Sequence, residues 1–196
     1  NGFTVDGDNT SLSGGVSHNS ADINTQFGIG SGIWSSGTGG KNGMLIKYNI
    51  IKNCNTGGIY INGGGTPVEG GLFTYNFIDN SPWWGIVMET NSYTNITNNK
   101  ITRVSRGIQY DNYYVAKSSG SSVIEFNDIN YTKRGILQNL FYGTASLFEI
   151  KNNTLTAATS PESANVGLLY WSIASGITAT ATDNTINAGE NGARIW

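Results

Sequence analysis

The sequence predicts an all-β chain wound as a right-handed parallel β-helix, a solenoid of about seven coils. Three observations carry that prediction. An Asn two residues before an aliphatic residue recurs six times, at Asn49, Asn76, Asn99, Asn127, Asn153 and Asn184, with spacings of 27, 23, 28, 26 and 31 residues. A Gly followed by an apolar residue comes eight or nine positions after five of those Asn residues, at Gly58, Gly85, Gly107, Gly135 and Gly192. Within each unit, apolar residues recur at steps of two, as in Ile59/Ile61 and Ile86/Met88, and no eleven-residue window holds a helical stripe. A period of 20–50 residues marks an array whose single unit cannot bury its apolar face alone, and steps of two mark strands. Three short strands per turn make one coil of a parallel β-helix. Strand twist and the crossover preference set the right hand.

Taken along the chain, residues 1–25 read as an N-terminal segment or irregular first coil, although NGFTVDG already alternates Phe3 and Val5 like a strand. A degenerate repeat ends at Gly32-Ile33-Trp34, and clear repeats fill 26–196, so that 1–196 is one domain. Three positions before each anchoring Asn stands another apolar residue: Ile46, Phe73, Ile96, Ile124, Ile150 and Ala181. The anchoring Asn is expected to serve a sharp corner twice over. Asn tolerates left-handed backbone, and coils stacked ~4.8 Å apart would let its amide hydrogen-bond from turn to turn. The Gly serves the next corner. In the copy that follows Asn153 the Gly comes late, at Gly167, because TAATSPESANV (156–166) carries an insertion. The last residues, NGARIW, are still on pattern, with no polar cap after them. A sequence that opens and finishes in wall is expected either to be a fragment or to be covered by neighbours at its open sheet ends.

Composition bounds the function. Charged residues make up 12% and the net charge is −2, which gives no electrostatic reason to expect nucleic acid or an anionic membrane. No apolar run approaches the ~20 residues that span a bilayer. The chain opens at Asn1 with no signal peptide and no Met, as a processed or excised chain would. There are 27 Gly and 25 Asn, a mix poor for helices, while ten Tyr, seven Phe and five Trp argue against disorder. Cys54 is alone, so no internal disulfide is available, and burial is the expectation for it. Asn9, Asn95, Asn130 and Asn152 head Asn-x-Ser/Thr sequons, which a chain this rich in Asn, Ser and Thr produces by chance.

The repeat resembles that of the pectin-lyase-like superfamily, whose apolar-x-x-Asn-x-Ile followed by Gly-Ile is met here over about residues 26–196. The resemblance implies the fold. It does not imply a reaction, since that superfamily includes pectate and alginate lyases, polygalacturonases, mannuronan epimerases, phage tailspikes and non-catalytic surface proteins. The Asp-Pro-His-Asp tetrad of its epimerases is absent here.

His18 is the sole His, which excludes a multi-His zinc site and leaves a solvated loop residue as the ordinary reading. The 13 Asp and Glu are scattered, against the paired carboxylates that glycoside hydrolysis needs. Read down the stack, seven residues after the anchoring Asn come Thr56, Trp83, Arg106 and Arg134, with Arg103 and Lys133 close by. Similar lyases use Arg or Lys with Ca²⁺-bound carboxylates to remove a proton beside a uronate. The resemblance therefore makes Arg103, Arg106, Lys133 and Arg134 candidates for charge-neutralising or base roles, with Glu89, Asp111 and Asp128 as the carboxylates facing them. A solvated patch of mutually neutralising charges is the competing expectation.

A second column, the outward residue of the strand after each Gly, reads Trp34, Tyr60, Val87, Gln109, Leu137, Leu169 and Arg194. It is apolar where a wet face is expected. Such a stripe suits sugar rings, a neighbouring subunit, or loops that fold back over it.

The leading expectation is a non-enzymatic extracellular structural protein. It would be a surface fibre or adhesin subunit that self-associates through its ends, with Ile195 and Trp196 in the interface, or through the apolar stripe. It would need no cofactor and no metal. The alternative is a lyase or binding module acting on an acidic polysaccharide, with Ca²⁺ if it is a lyase.

Overall fold

The computed structural model describes residues 2–6, 31–35, 43–63, 68–89, 91–111, 120–140, 146–173 and 175–195. These residues contain no helix. Every strand pairing among them is parallel. Each turn of the chain crosses three faces. The first face holds Leu45–Lys47, Leu72–Thr74, Asn95–Thr97, Gly120–Glu125, Ser146–Lys151 and Ile177–Thr182. The second begins at Thr4–Asp6 and Ile50–Lys52 and ends at Thr185–Asn187, seven strands deep. The third runs from Ser31–Ser35 through Gly57–Asn62 and Trp84–Glu89 to Val166–Ile173 and Asn191–Ile195. Lys100–Asp111 and Asp128–Leu140 serve both the second and third faces, turning the corner through register shifts instead of a break. Complete turns are fewer than the seven expected, because Thr4–Asp6 and Ser31–Ser35 belong to turns of which only part is described.

The step-of-two pattern turns alternate residues of the strands into the core and stacks them on their equivalents. On the first face one such column is Ile46, Phe73, Ile96, Ile124 and Ile150. On the second it is Ile51, Ile78, Ile101, Ile129 and Leu155, and on the third Ile59, Ile86, Ile108, Ile136 and Leu168. All of them are buried, in one continuous cluster. Each contributes about 1.5–3 kcal/mol relative to exposure. β-branched side chains suit such columns, because each packs flat against the same shape one turn on.

The anchoring Asn residues form a buried ladder at the corner between the first two faces. Asn49 Nδ2 donates to Asn76 Oδ1 at 2.9 Å, and the bond repeats from Asn76 to Asn99, Asn127, Asn153 and Asn184 at 2.9–3.0 Å. Each Oδ1 also accepts the backbone N–H of the preceding ladder residue, and each Nδ2 from Asn76 onward also donates to a carbonyl of the preceding turn. The expectation that these Asn residues supply the left-handed bend is corrected here. The left-handed residue is the one before: Tyr48, Tyr75, Asn98, Phe126, Asn152 and Asp183 have φ of 54–57°. Asn is required at the ladder for its amide, and the bend is made by its neighbour. The Gly of the next corner is needed for close approach. A Cβ on Gly107 would lie 2.5 Å from the Gly135 carbonyl oxygen and 2.3 Å from Ile129 Cγ2.

Candidate functional site

The third face carries three outward columns, and the Gly is the landmark that aligns them. One residue before it stand Gly57, Trp84, Arg106, Arg134 and Val166. Two after it stand Tyr60, Val87, Gln109, Leu137 and Leu169, with Trp34 below them and Arg194 above. Four after it stand Asn62, Glu89, Asp111 and Asn139.

At the low-numbered end the columns build an aromatic shelf. Trp34 stacks on Tyr60 with ring centroids 4.2 Å apart, Tyr60 meets Trp84 at 5.9 Å, and Trp83 stands edge-on to Trp84 at 5.3 Å. Gly57 makes room for the Trp84 indole, since a Cβ there would lie 2.0 Å from Nε1. That Nε1 is buried with no hydrogen-bond acceptor among the described residues. Tyr60 OH and Asn62 Nδ2 both donate to Glu89 Oε2 at 2.8 Å. Desolvation, aided by Glu89, pushes the Tyr60 hydroxyl up to about 12, so it stays a donor at physiological pH.

Beyond the shelf the face becomes cationic. Arg106 and Arg134 are register neighbours on adjacent strands, and each guanidinium lies over an indole, Arg106 over Trp83 at 5.8 Å and Arg134 over Trp171 at 5.6 Å. Arg106 Nη1 donates to Gln109 Oε1 at 3.0 Å, and Gln109 Nε2 donates to Asp111 Oδ2 at 2.6 Å. Asn139 Nδ2 donates to the other carboxylate oxygen of Asp111. Burial pushes the Asp111 carboxyl up to about 7. Glu89 adds to the rise, while Gln109, Asn139 and Arg106 hold it back.

Two adjoining cavities follow. One, of about 270 Å³, is lined by the shelf aromatics with Val87, Glu89, Arg106 and Gln109. The other, of about 260 Å³, is lined by Arg106, Gln109, Arg134, Leu137, Asn139 and Trp171. Arg106 and Gln109 form the wall they share.

The residues expected from the sequence thus separate. Arg106, Arg134, Glu89 and Asp111 come together on this face. Arg103 does not, because it sits in left-handed backbone at another corner and pairs with Asp79. Lys133 pairs with Glu162 at 3.4 Å, and Asp128 is exposed beside Lys100 on the second face. The column seven residues after the Asn slips by one in the first two copies, where Gly57 and Trp84, not Thr56 and Trp83, stand in register with Arg106. The apolar stripe divides into buried and accessible residues. Val87, Leu137 and Leu169 are buried, and Leu137 and Leu169 pack with Val166 in a small second core. Trp34 and Tyr60 remain accessible, as does Ile195 on the last strand. His18, Trp196 and the Asn9 sequon lie outside the described residues, and Cys54 is buried.

Missed by the sequence reading were Trp84, Asn62, Asn139, Trp171 and the bridging role of Gln109. Counting from the Gly instead of the Asn brings out all but Trp171.

Ca²⁺ takes six to eight oxygen ligands. Among the described residues no three His, Cys, Asp or Glu side chains gather, and the Asp111 oxygens are already engaged by two amides. The described residues of this face do not gather the oxygen ligands that ion needs. No helix among the described residues is long and apolar enough to cross a membrane.

Parallel coils, core columns and the Asn ladder together define a β-solenoid with one decorated face. The chain belongs to the right-handed β-helix family, described as "Right handed beta helix region", whose model matches residues 14–196. No curated protein and no solved structure matches the chain.

Proposed function

We propose that the third face binds an acidic polysaccharide, one sugar stacking on the Trp34–Tyr60–Trp84 shelf and a neighbouring acidic group meeting Arg106 and Arg134. One observation carries this reading: an aromatic cavity and a twin-arginine cavity share a wall, so a single chain crossing both meets stacking surfaces and cations in succession. Glu89, gripped by Tyr60 and Asn62, offers a sugar hydroxyl an acceptor. Such a ligand suits a protein that works outside the cell or at its surface.

Titration of intrinsic Trp fluorescence with a uronate polymer and with a neutral glucan tests the proposal. Saturable quenching by the uronate, weakened at least about tenfold in Arg106→Ala/Arg134→Ala, is expected. Equal response to both polymers, or to neither, would overturn it. Monitoring the same samples for unsaturated uronate products decides whether cleavage follows binding.

Self-association as a surface fibre or adhesin is the second reading, favoured by an exposed aromatic row at the ladder corner. Tyr48, Tyr75 and Phe126 are each more than half exposed. Electron microscopy of undiluted protein tests it, and monodisperse single particles would count against it.

A further inference from the structure

Asp111 lies behind the wall the two cavities share and lines neither of them. It is fully buried, yet its two carboxylate oxygens are held by the two amides that do line the cationic cavity, Gln109 and Asn139. Gln109 passes the contact on. Its Nε2 faces Asp111 and its Oε1 accepts from Arg106, so the amide has one orientation that satisfies both partners. Among the described residues, the titratable and charged groups that act on Asp111 are Glu89 in register on the preceding strand, Arg106 on its own strand and, one turn further, Tyr60, while Arg134 is the register neighbour of Arg106. Protonation of Asp111 removes a negative charge from beside Arg106 and makes this face more positive.

We propose that Asp111 is the specificity-determining residue of this anion site: it touches no ligand, but its proton sets the cavity's charge and the site takes up that proton when an acidic sugar binds. The inference rests on the acidic-polysaccharide reading. Burial already brings the Asp111 carboxyl into the neutral range, where a modest new field shifts its occupancy. An anion placed beside Arg106 and Arg134 disfavours the ionised carboxylate further. The proton affinity of Asp111 is therefore higher in the complex than in the free protein. By linkage the ligand binds more tightly below the free-protein titration and more weakly above it. Ordinary exposed carboxylates titrate too low to produce such a step between pH 5.5 and 8.5.

The test uses the whole chain and a hexamer of galacturonic acid, whose carboxylates stay ionised over that range. Wild type is expected to bind about tenfold more tightly at pH 5.5 than at pH 8.5, since one unit of pKa change is a factor of ten in affinity. Asp111→Asn should bind at the low-pH affinity throughout. A second measurement needs no variant. Calorimetry at pH 7 in two buffers of different ionisation enthalpy should show net proton uptake on binding by wild type. Equal wild-type affinity at both pH values, a slope that persists in Asp111→Asn, or zero proton uptake would each overturn the role given to Asp111 while leaving the site standing. Absence of binding at every pH would remove the acidic-polysaccharide reading and this inference together.

Discussion

The Asn-ladder corner and the third face are built by the same rule and come out opposite. Each lines up residues from successive turns in register, about 4.8 Å apart. Down the ladder the residue is identical at every level, and each amide's spare donor is met by its neighbour's spare acceptor. Down the third face it changes at every level, from Gly57 to Trp84 to Arg106 to Arg134. Unlike neighbours cannot satisfy one another completely, and among the described residues they leave an indole N–H unpaired, two guanidiniums spread on indoles and a carboxylate wedged between amides. In a solenoid a uniform column is scaffold and a varied column is where a ligand has something to meet.

The largest effect should come from breaking uniformity. Asn99→Leu removes an acceptor for Asn76 N and Nδ2 and a donor to Phe73 O and Asn127 Oδ1, all buried. Orphaned buried groups cost about 1–3 kcal/mol each, so a loss of about 5 kcal/mol is expected in urea unfolding. A loss under about 1 kcal/mol would show that the ladder is decoration.

The third face has a cost of its own. Asp111 binds its proton more tightly folded than unfolded, so the folded state holds more protons between about pH 4 and 7. The stability from this group is full below the unfolded value and is lost as pH rises through about 7, by at most about 4 kcal/mol. Melting temperatures from pH 4 to 8 should fall in wild type and flatten in Asp111→Asn.

Trp84→Ala should weaken uronate binding about tenfold by fluorescence titration, at a larger stability cost than Arg134→Ala, because the indole is buried on Gly57. The smallest effect is at the ladder corner. Tyr75 holds φ of 54°, where Asn98 one turn on sits at the same angle with less strain. Tyr75→Asn should raise stability by about 0.5 kcal/mol in a thermal melt. A loss would mean that stacking on Tyr48, at 5.2 Å, outweighs the backbone strain.

The fold was legible because its signal is redundant. Ile46, Ile51 and Ile59 mark three faces in one turn, and every later turn repeats the lesson. The site had no such redundancy. Arg106 and Arg134 surfaced because like charges fell into one column, but Asn62 and Asn139 are ordinary in a chain with 25 Asn. Neither residue stands out until the Gly register aligns it with Glu89 and Asp111. Trp171 escaped even that alignment, because a register shift after Gln138 pairs Asn139 with Ser172. Burial of Val87, Leu137 and Leu169 was beyond a period-two argument, which assigns a side chain to a face and does not say what lies against it.

The ladder also has a direction. In all five side-chain bonds the amide hydrogen points toward the higher-numbered turn and the oxygen toward the lower, so the amide dipoles add head to tail through the protein. That row is a buried counterpart of a helix macrodipole, with its positive end toward the late turns and each amide polarising the next. A turn inserted anywhere in the stack joins this circuit if it brings an Asn to the corner, and interrupts it with any other residue. The solenoid is therefore free to lengthen by whole turns while its electrical sense along the axis stays fixed.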